Sequence, residues 1–89
     1  MITLEQAKNL KWRQEIYHNH YRQNGGKTPE TWRVNGQVKT WKTRPNEVKV
    51  PIKHSLYSFS YLTHNDLNEF SLTKEEAMGE NNGNSNSKM

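Results

Sequence analysis

The chain has 89 residues, a hydrophobic fraction of 30%, a charged fraction of 25%, no cysteine and a net charge of +4. A single domain of this size buries only about two-thirds of its unfolded surface. The absence of cysteine excludes a disulfide framework and a thiolate metal site, and no apolar run approaches the roughly 20 residues needed to span a bilayer.

The opening MITLEQAKNLKW lacks the apolar middle of a signal peptide, so the expectation is a cytoplasmic protein with no membrane partner. With few aliphatic residues, the three Trp, four Tyr and two Phe are expected to fill the interior. Charge is uneven along the chain. Residues 1–26 carry four basic and two acidic side chains, 27–54 seven and two, and 55–89 two and five. A basic middle beside an acidic end implies an electropositive face for phosphate or for an acidic protein, or else an ordinary solvated surface.

In chain order, Thr3-Leu4-Glu5-Gln6 has the form of a capping box, in which a hydroxyl and a carboxamide each satisfy a backbone N–H at a helix start. Leu4, Ala7 and Leu10 then recur at helical spacing, which predicts a short helix laid as a lid on a core. From Gln14 to Arg22 residues alternate without a clean apolar face, as in a strand, with a longer first helix as the alternative. Gln23 to Pro29 is a loop by its Asn, Gly and Pro content.

Thr31 to Lys42 reads as the next strand, with Asn35-Gly36 in its middle. A two-residue hairpin there mixes apolar and charged residues on both faces. A strand bent at Gly36 instead groups Trp32, Val34 and Val38 against Arg33, Gln37, Lys39 and Trp41. The bent strand is preferred; a three-residue hairpin loop that aligns Trp32 with Val38 is the alternative. Trp12 and Trp32 are expected in the core.

Thr43 to Glu47 has turn chemistry. Val48, Val50 and Ile52 then alternate with Lys49, Pro51 and Lys53, predicting a half-buried strand at an edge or with Pro51 turned to solvent, since proline cannot donate to a ladder. After a turn at His54-Ser55, Leu56 to Leu62 alternates Tyr57, Phe59 and Tyr61 with serines, and the aromatic phase is expected inside. Thr63-His64-Asn65-Asp66 begins a single helical turn with Leu67 inward, followed by a short strand over Glu69 to Leu72. Thr73 to Glu76 has the form of another cap. The composition places a folded domain over 1–75 and a disordered polar tail over 76–89.

This order, with the long first loop and the ending YLTHNDLNEFSL, resembles the SH3-like small-barrel superfold over Leu10 to Leu72. The resemblance implies a mainly β fold: a small, partly open barrel of about five strands with a short N-terminal helix and a single helical turn before the last strand. The segments WRVNGQVKTWKTRP and VPIKHSLYSFSYLT resemble small tailed-bacteriophage proteins, which implies a phage accessory protein. The acidic first loop and paired aromatics with which signalling SH3 domains bind proline-rich peptides do not occur in this chain.

No phosphate-binding glycine loop, serine nucleophile motif or metalloprotease helix is present. An enzyme is not expected, nor is a cofactor. His18 and His20 have a spacing able to chelate zinc or copper, but without further ligands they read as surface or packing histidines. The residues with the best functional claim are Arg33, Lys39, Trp41, Lys42, Arg44, Lys49 and Lys53. Lysine and arginine there neutralise phosphates of DNA or RNA, and an exposed Trp41 stacks on an unpaired base. In the bland alternative, Trp41 closes the barrel end. The second functional expectation is a module that docks on a host or viral protein through an edge strand or an aromatic patch.

Overall fold

The computed structural model describes residues 1–20 and 27–79. One short helix, α1 (Leu4–Lys8), precedes strands β1 (Glu15–His18), β2 (Thr31–Val34), β3 (Lys39–Trp41), β4 (Arg44–Ser55) and β5 (Ser58–Thr63). A single 3₁₀ turn (Leu67–Glu69) then leads into β6 (Phe70–Ser71). All pairings are antiparallel and form one half-barrel sheet. β4 has β5 along one edge and β3 and then β2 along the other, and the sheet continues from β2 through β1 to β6. No helix among the described residues is long and apolar enough to cross a membrane.

Helix α1 starts where the capping box lies. The Thr3 hydroxyl accepts from the Gln6 N–H at 3.1 Å, and the Thr3 N–H donates to Gln6 Oε1 at 2.9 Å. Its inner face lays Ala7 on the barrel, with Ile2 before it and Leu10 after it. The core they join is aliphatic: Ile2, Ile16, Val34, Val48, Val50, Ile52 and Leu62 are almost wholly buried. Phe70 is the one buried aromatic among the described residues, so the expectation of an aromatic-filled interior is overturned. Trp32 packs against the rim of this core, whereas Trp12, also expected inside, is 64% exposed. The β-branched aliphatics of β4 supply enough bulk to close so thin a half-barrel.

The preferred bent strand is what β2 and β3 make. Both pair with β4 on the same edge, in the same direction, and the chain bends between them at Asn35 to Val38. Two boundaries differ from expectation. Arg44 to Glu47, expected as a turn, already belongs to β4, because β3 folds back over Lys42-Thr43 and pairs Trp41 with Arg44. The first strand ends at His18, and the rest of its expected span from Tyr21, with most of the following loop, lies outside the described residues.

Of the two expectations for Pro51 the second holds: β4 is not an edge strand, and Pro51 lies on its outward phase. Proline is tolerated there because its position falls at the bend between β2 and β3. No ladder donor is required at that point, and the Pro51 carbonyl accepts from the Asn35 N–H at 2.8 Å. Gly36 passes directly over the ring: a Cβ at residue 36 would stand 2.9 Å from Pro51 Cγ and 3.2 Å from its Cβ.

Past β5, the Asp66 carboxylate accepts from the Thr63 hydroxyl at 3.0 Å and tightens the turn that presents Leu67 to the core. The last strand is reduced to Phe70–Ser71. Thr73 caps a helical segment over 74–79, its hydroxyl accepting from the Glu76 N–H at 3.1 Å, and Ala77 is wholly buried. Packed structure thus continues past residue 75, where the composition begins the polar tail; residues 80–89 lie outside the described residues.

Replacing Gly36 with alanine pushes a methyl into the Pro51 ring and is expected to destabilise the protein by about 1–3 kcal/mol in urea unfolding. Adding Pro51→Ala should recover part of that loss. The two substitutions are therefore expected to be non-additive.

Candidate functional site

The alternation in β4 sends Val48, Val50 and Ile52 inward and leaves Lys49, Pro51 and Lys53 on the outer face. Register then decides what stands beside them. Lys39 of β3 pairs with Lys49, and Arg33 of β2 with Lys53, so these four cations share one face. On the other side of β4, Phe59 pairs with Lys53, Tyr61 with Pro51 and Thr63 with Lys49. The aromatic phase of β5 is therefore outside, with Phe59 61% exposed and Tyr61 52%; Tyr57, in the turn before it, is 92% exposed. Leu62 takes the inward place.

The cause is one residue. Near the hairpin, Ser55 pairs with Ser58, a register that would set Ile52 opposite Tyr61 and turn the aromatics inward. The register slips between Lys53 and Ser55, where His54 is the extra residue of a bulge, and Ile52 faces Ser60 instead. A one-residue slip exchanges the faces of every side chain beyond it. The bulged His54 stacks on Trp32 at 5.2 Å, and its Nδ1 donates to the Thr31 carbonyl at 3.0 Å.

On the outer face cations and rings form pairs. Lys49 Nζ lies 4.2 Å from the centre of the Tyr61 ring, and Lys53 Nζ 5.9 Å from that of Phe59. Such exposed cation–π contacts are worth about 0.5–1 kcal/mol, enough to hold the lysines above the rings yet weak enough to exchange. Between the rings, Asn35, Pro51, Phe59 and Tyr61 border a shallow depression of about 390 Å³. A second recess of about 600 Å³ adjoins it at Asn35 and is lined by Arg33, Lys53, Arg13 and Trp12.

Trp12 and Arg13 stand there by backbone design. Arg13 adopts φ 69°, its N–H bonded to the Val34 carbonyl at 2.9 Å, and the bend throws the indole outward with the Arg13 guanidinium 4.4 Å over it. Glu15 moderates the charge. It meets Arg33 at 3.3 Å and accepts from the Tyr17 hydroxyl at 3.1 Å. Desolvation, and then this bond to Glu15, raises the Tyr17 phenol above its ordinary value.

Of the seven residues singled out in the sequence, Arg33, Lys39, Lys49 and Lys53 are thus brought together. Trp41, Lys42 and Arg44 sit apart at the β3–β4 turn. There the half-buried Trp41 has the Arg44 guanidinium 4.7 Å over its ring, and Arg44 also meets Glu47 at 3.2 Å. Hydropathy alone places Phe59 and Tyr61 in the core; only their register against β4 reveals them. His18 meets Glu69 at 3.7 Å and packs edge-on to His20 and Phe70, and no cluster of three potential metal ligands occurs among the described residues. In comparison with known proteins, no family model, no curated protein and no solved structure matches the chain.

Two measurements test this placement. Phe59→Ala and Tyr61→Ala should each lower stability by no more than about 1 kcal/mol, the size of an exposed cation–π contact, whereas Leu62→Ala should lower it by about 2–5 kcal/mol. The unfolded Tyr17 phenol ionises first, near pH 10, so stability held below that pH falls as pH rises through the higher folded value. Tyr17→Phe should make that alkaline fall shallower in denaturation measured across the window.

Proposed function

We propose that the protein is a non-catalytic small barrel that binds single-stranded nucleic acid across the outer face of β2 to β5. The observation that carries this reading is the pairing of Lys49 with Tyr61 and of Lys53 with Phe59 on adjacent strands. Each pair is a receptor for one nucleotide. The base displaces the ammonium from the ring, and the freed lysine swings to the phosphate, so the contact given up is replaced by two stronger ones. Arg33 and Lys39 extend the positive field to either end of β4's exposed face.

Single strands suit this face better than duplex, because rings standing on a sheet need unpaired bases on which to stack. The half-barrel is compatible with an SH3-like barrel, and with the resemblance to phage proteins the reading becomes that of a phage accessory protein acting on DNA or RNA in the host cytoplasm. A second reading, docking on a host or viral protein, draws on Leu56 and Tyr57, which are 73% and 92% exposed at the β4–β5 turn.

Fluorescence anisotropy with labelled oligonucleotides over a salt series tests the first reading. Expected are preference for single strands and a log–log salt slope of about −0.7 per phosphate neutralised. Lys49→Gln and Lys53→Gln should each make that slope shallower. Phe59→Ala and Tyr61→Ala should each weaken binding by about 1–3 kcal/mol at unchanged slope, while Trp41→Ala, half-buried and apart from this face at the β3–β4 turn, should leave it nearly intact. Absence of binding at low salt sinks the reading and turns attention to the Leu56-Tyr57 tip.

A further inference from the structure

The outer edge of β5 carries the next inference. Among the described residues β5 pairs with β4 alone. Which of its backbone groups face outward follows from the bonds around β4. In an antiparallel strand the N–H and C=O of one residue point to the same side, and successive residues alternate. The Pro51 carbonyl accepts from Asn35, on the β2 side. Lys49, Pro51 and Lys53 therefore direct their backbone toward β3 and β2, and Val50 and Ile52 direct theirs toward β5.

The hydrogen-bonded pairs of the β4–β5 ladder are accordingly Ile52 with Ser60 and Val50 with Leu62. Phe59, Tyr61 and Thr63 point their backbone groups away from β4. Thr63 is provided for, its N–H donating to the Asp66 carboxylate at 3.3 Å. Phe59 and Tyr61 present two N–H and two C=O groups at the open edge. They lie symmetrically about Ser60.

From this symmetry we infer that β5 pairs with β5 of a second copy of the chain, antiparallel, about a two-fold axis at Ser60. In that register Phe59 exchanges both backbone bonds with Tyr61 of its partner and Tyr61 exchanges both with Phe59, so all the open groups close at once. Of the two neighbouring symmetric registers, the one centred on Tyr61 would need the Thr63 N–H that Asp66 already holds, and the one centred on Phe59 the Tyr57 N–H that the Ser55 hydroxyl holds.

The side chains fit the same arrangement. Each Phe59 stands opposite a Tyr61 on the outer face, a favourable cross-strand aromatic pair. Ser58 to Thr63 contains no charged residue and no proline, the usual devices that keep an edge strand from pairing. The lysine-bearing β4 strands of the two copies lie three strand spacings apart, about 14 Å, beyond the screening length of about 8 Å at physiological salt. Like charge does not oppose the contact. The dimer would double the aromatic and basic face, but it does not depend on nucleic acid being bound.

At the axis the two Ser60 residues form a non-hydrogen-bonded pair with Cα atoms about 4.5 Å apart, inside the range that a disulfide bridges. The chain has no other cysteine to interfere. Ser60→Cys should give a disulfide-linked dimer under mild oxidation much faster than Thr40→Cys, an exposed site on β3. By sedimentation the unmodified chain should be a dimer that dissociates on dilution. Ser60→Lys, which sets like charges face to face at an exposed position, should sediment as a monomer with its thermal unfolding at low concentration little changed. A parent that remains monomeric from micromolar to millimolar concentration, or a cysteine at 60 that crosslinks no faster than one at 40, overturns the inference.

Discussion

Strand β4 is hydrogen-bonded along both edges, and the other strands take their places from that arrangement. Backbone donors and acceptors in a sheet interior must be paired, so the central part of this strand, where Val48, Val50 and Ile52 are buried, requires neighbours. β5 supplies one side from Lys49 to Ser55, with the bulge at His54 near its end. β3 and β2 supply the other in two pieces, separated at Pro51, which has no N–H to donate. The contact between Pro51 and Gly36 is the seam between the pieces. The barrel bends there, and the bend lets a half-barrel wrap seven aliphatic side chains that would not cover a flat sheet.

From β4 outward, function follows alternation. A strand buried on one face offers the other to solvent, and β4 uses that face for Lys49 and Lys53. Cross-strand pairing then adds Arg33 and Lys39 on one flank and Phe59 and Tyr61 on the other. Charge and π surface are thereby interleaved on rigid sheet positions. Affinity for nucleic acid needs long-range attraction to phosphate and short-range stacking on bases, and both are within one side-chain length on this face.

The exposed rings and the backbone groups they set at the free edge have a common origin in the bulge at His54. A hairpin without it would bury Tyr61 opposite Ile52 and leave the protein a plainer surface. The bulge turns Phe59 and Tyr61 outward and sets their backbone groups at the free edge. The arrangement is secured at the barrel rim, where His54 stacks on Trp32 and bonds to the Thr31 carbonyl. One residue thus links the barrel rim to the character of the outer face.

By itself the sequence determined what short-range rules control. The Thr3 capping box, the inward Val48, Val50 and Ile52, the bent course through Gly36, the turn before Leu67 and the shared phase of Arg33 with Lys39 were all readable, because each depends on neighbours a few residues away. Tertiary structure decided the remainder. Alternation within a strand fixes two faces but not which one meets the core; that choice depends on register against a partner strand, and a single bulged residue reverses it. Hydropathy therefore put Phe59 and Tyr61 inside, and Trp12 with them, when the β-branched residues of four other segments had already filled the space. Pro51 likewise forbids a donor, but only the positions of β2 and β3 made the centre of the sheet a place where none was needed.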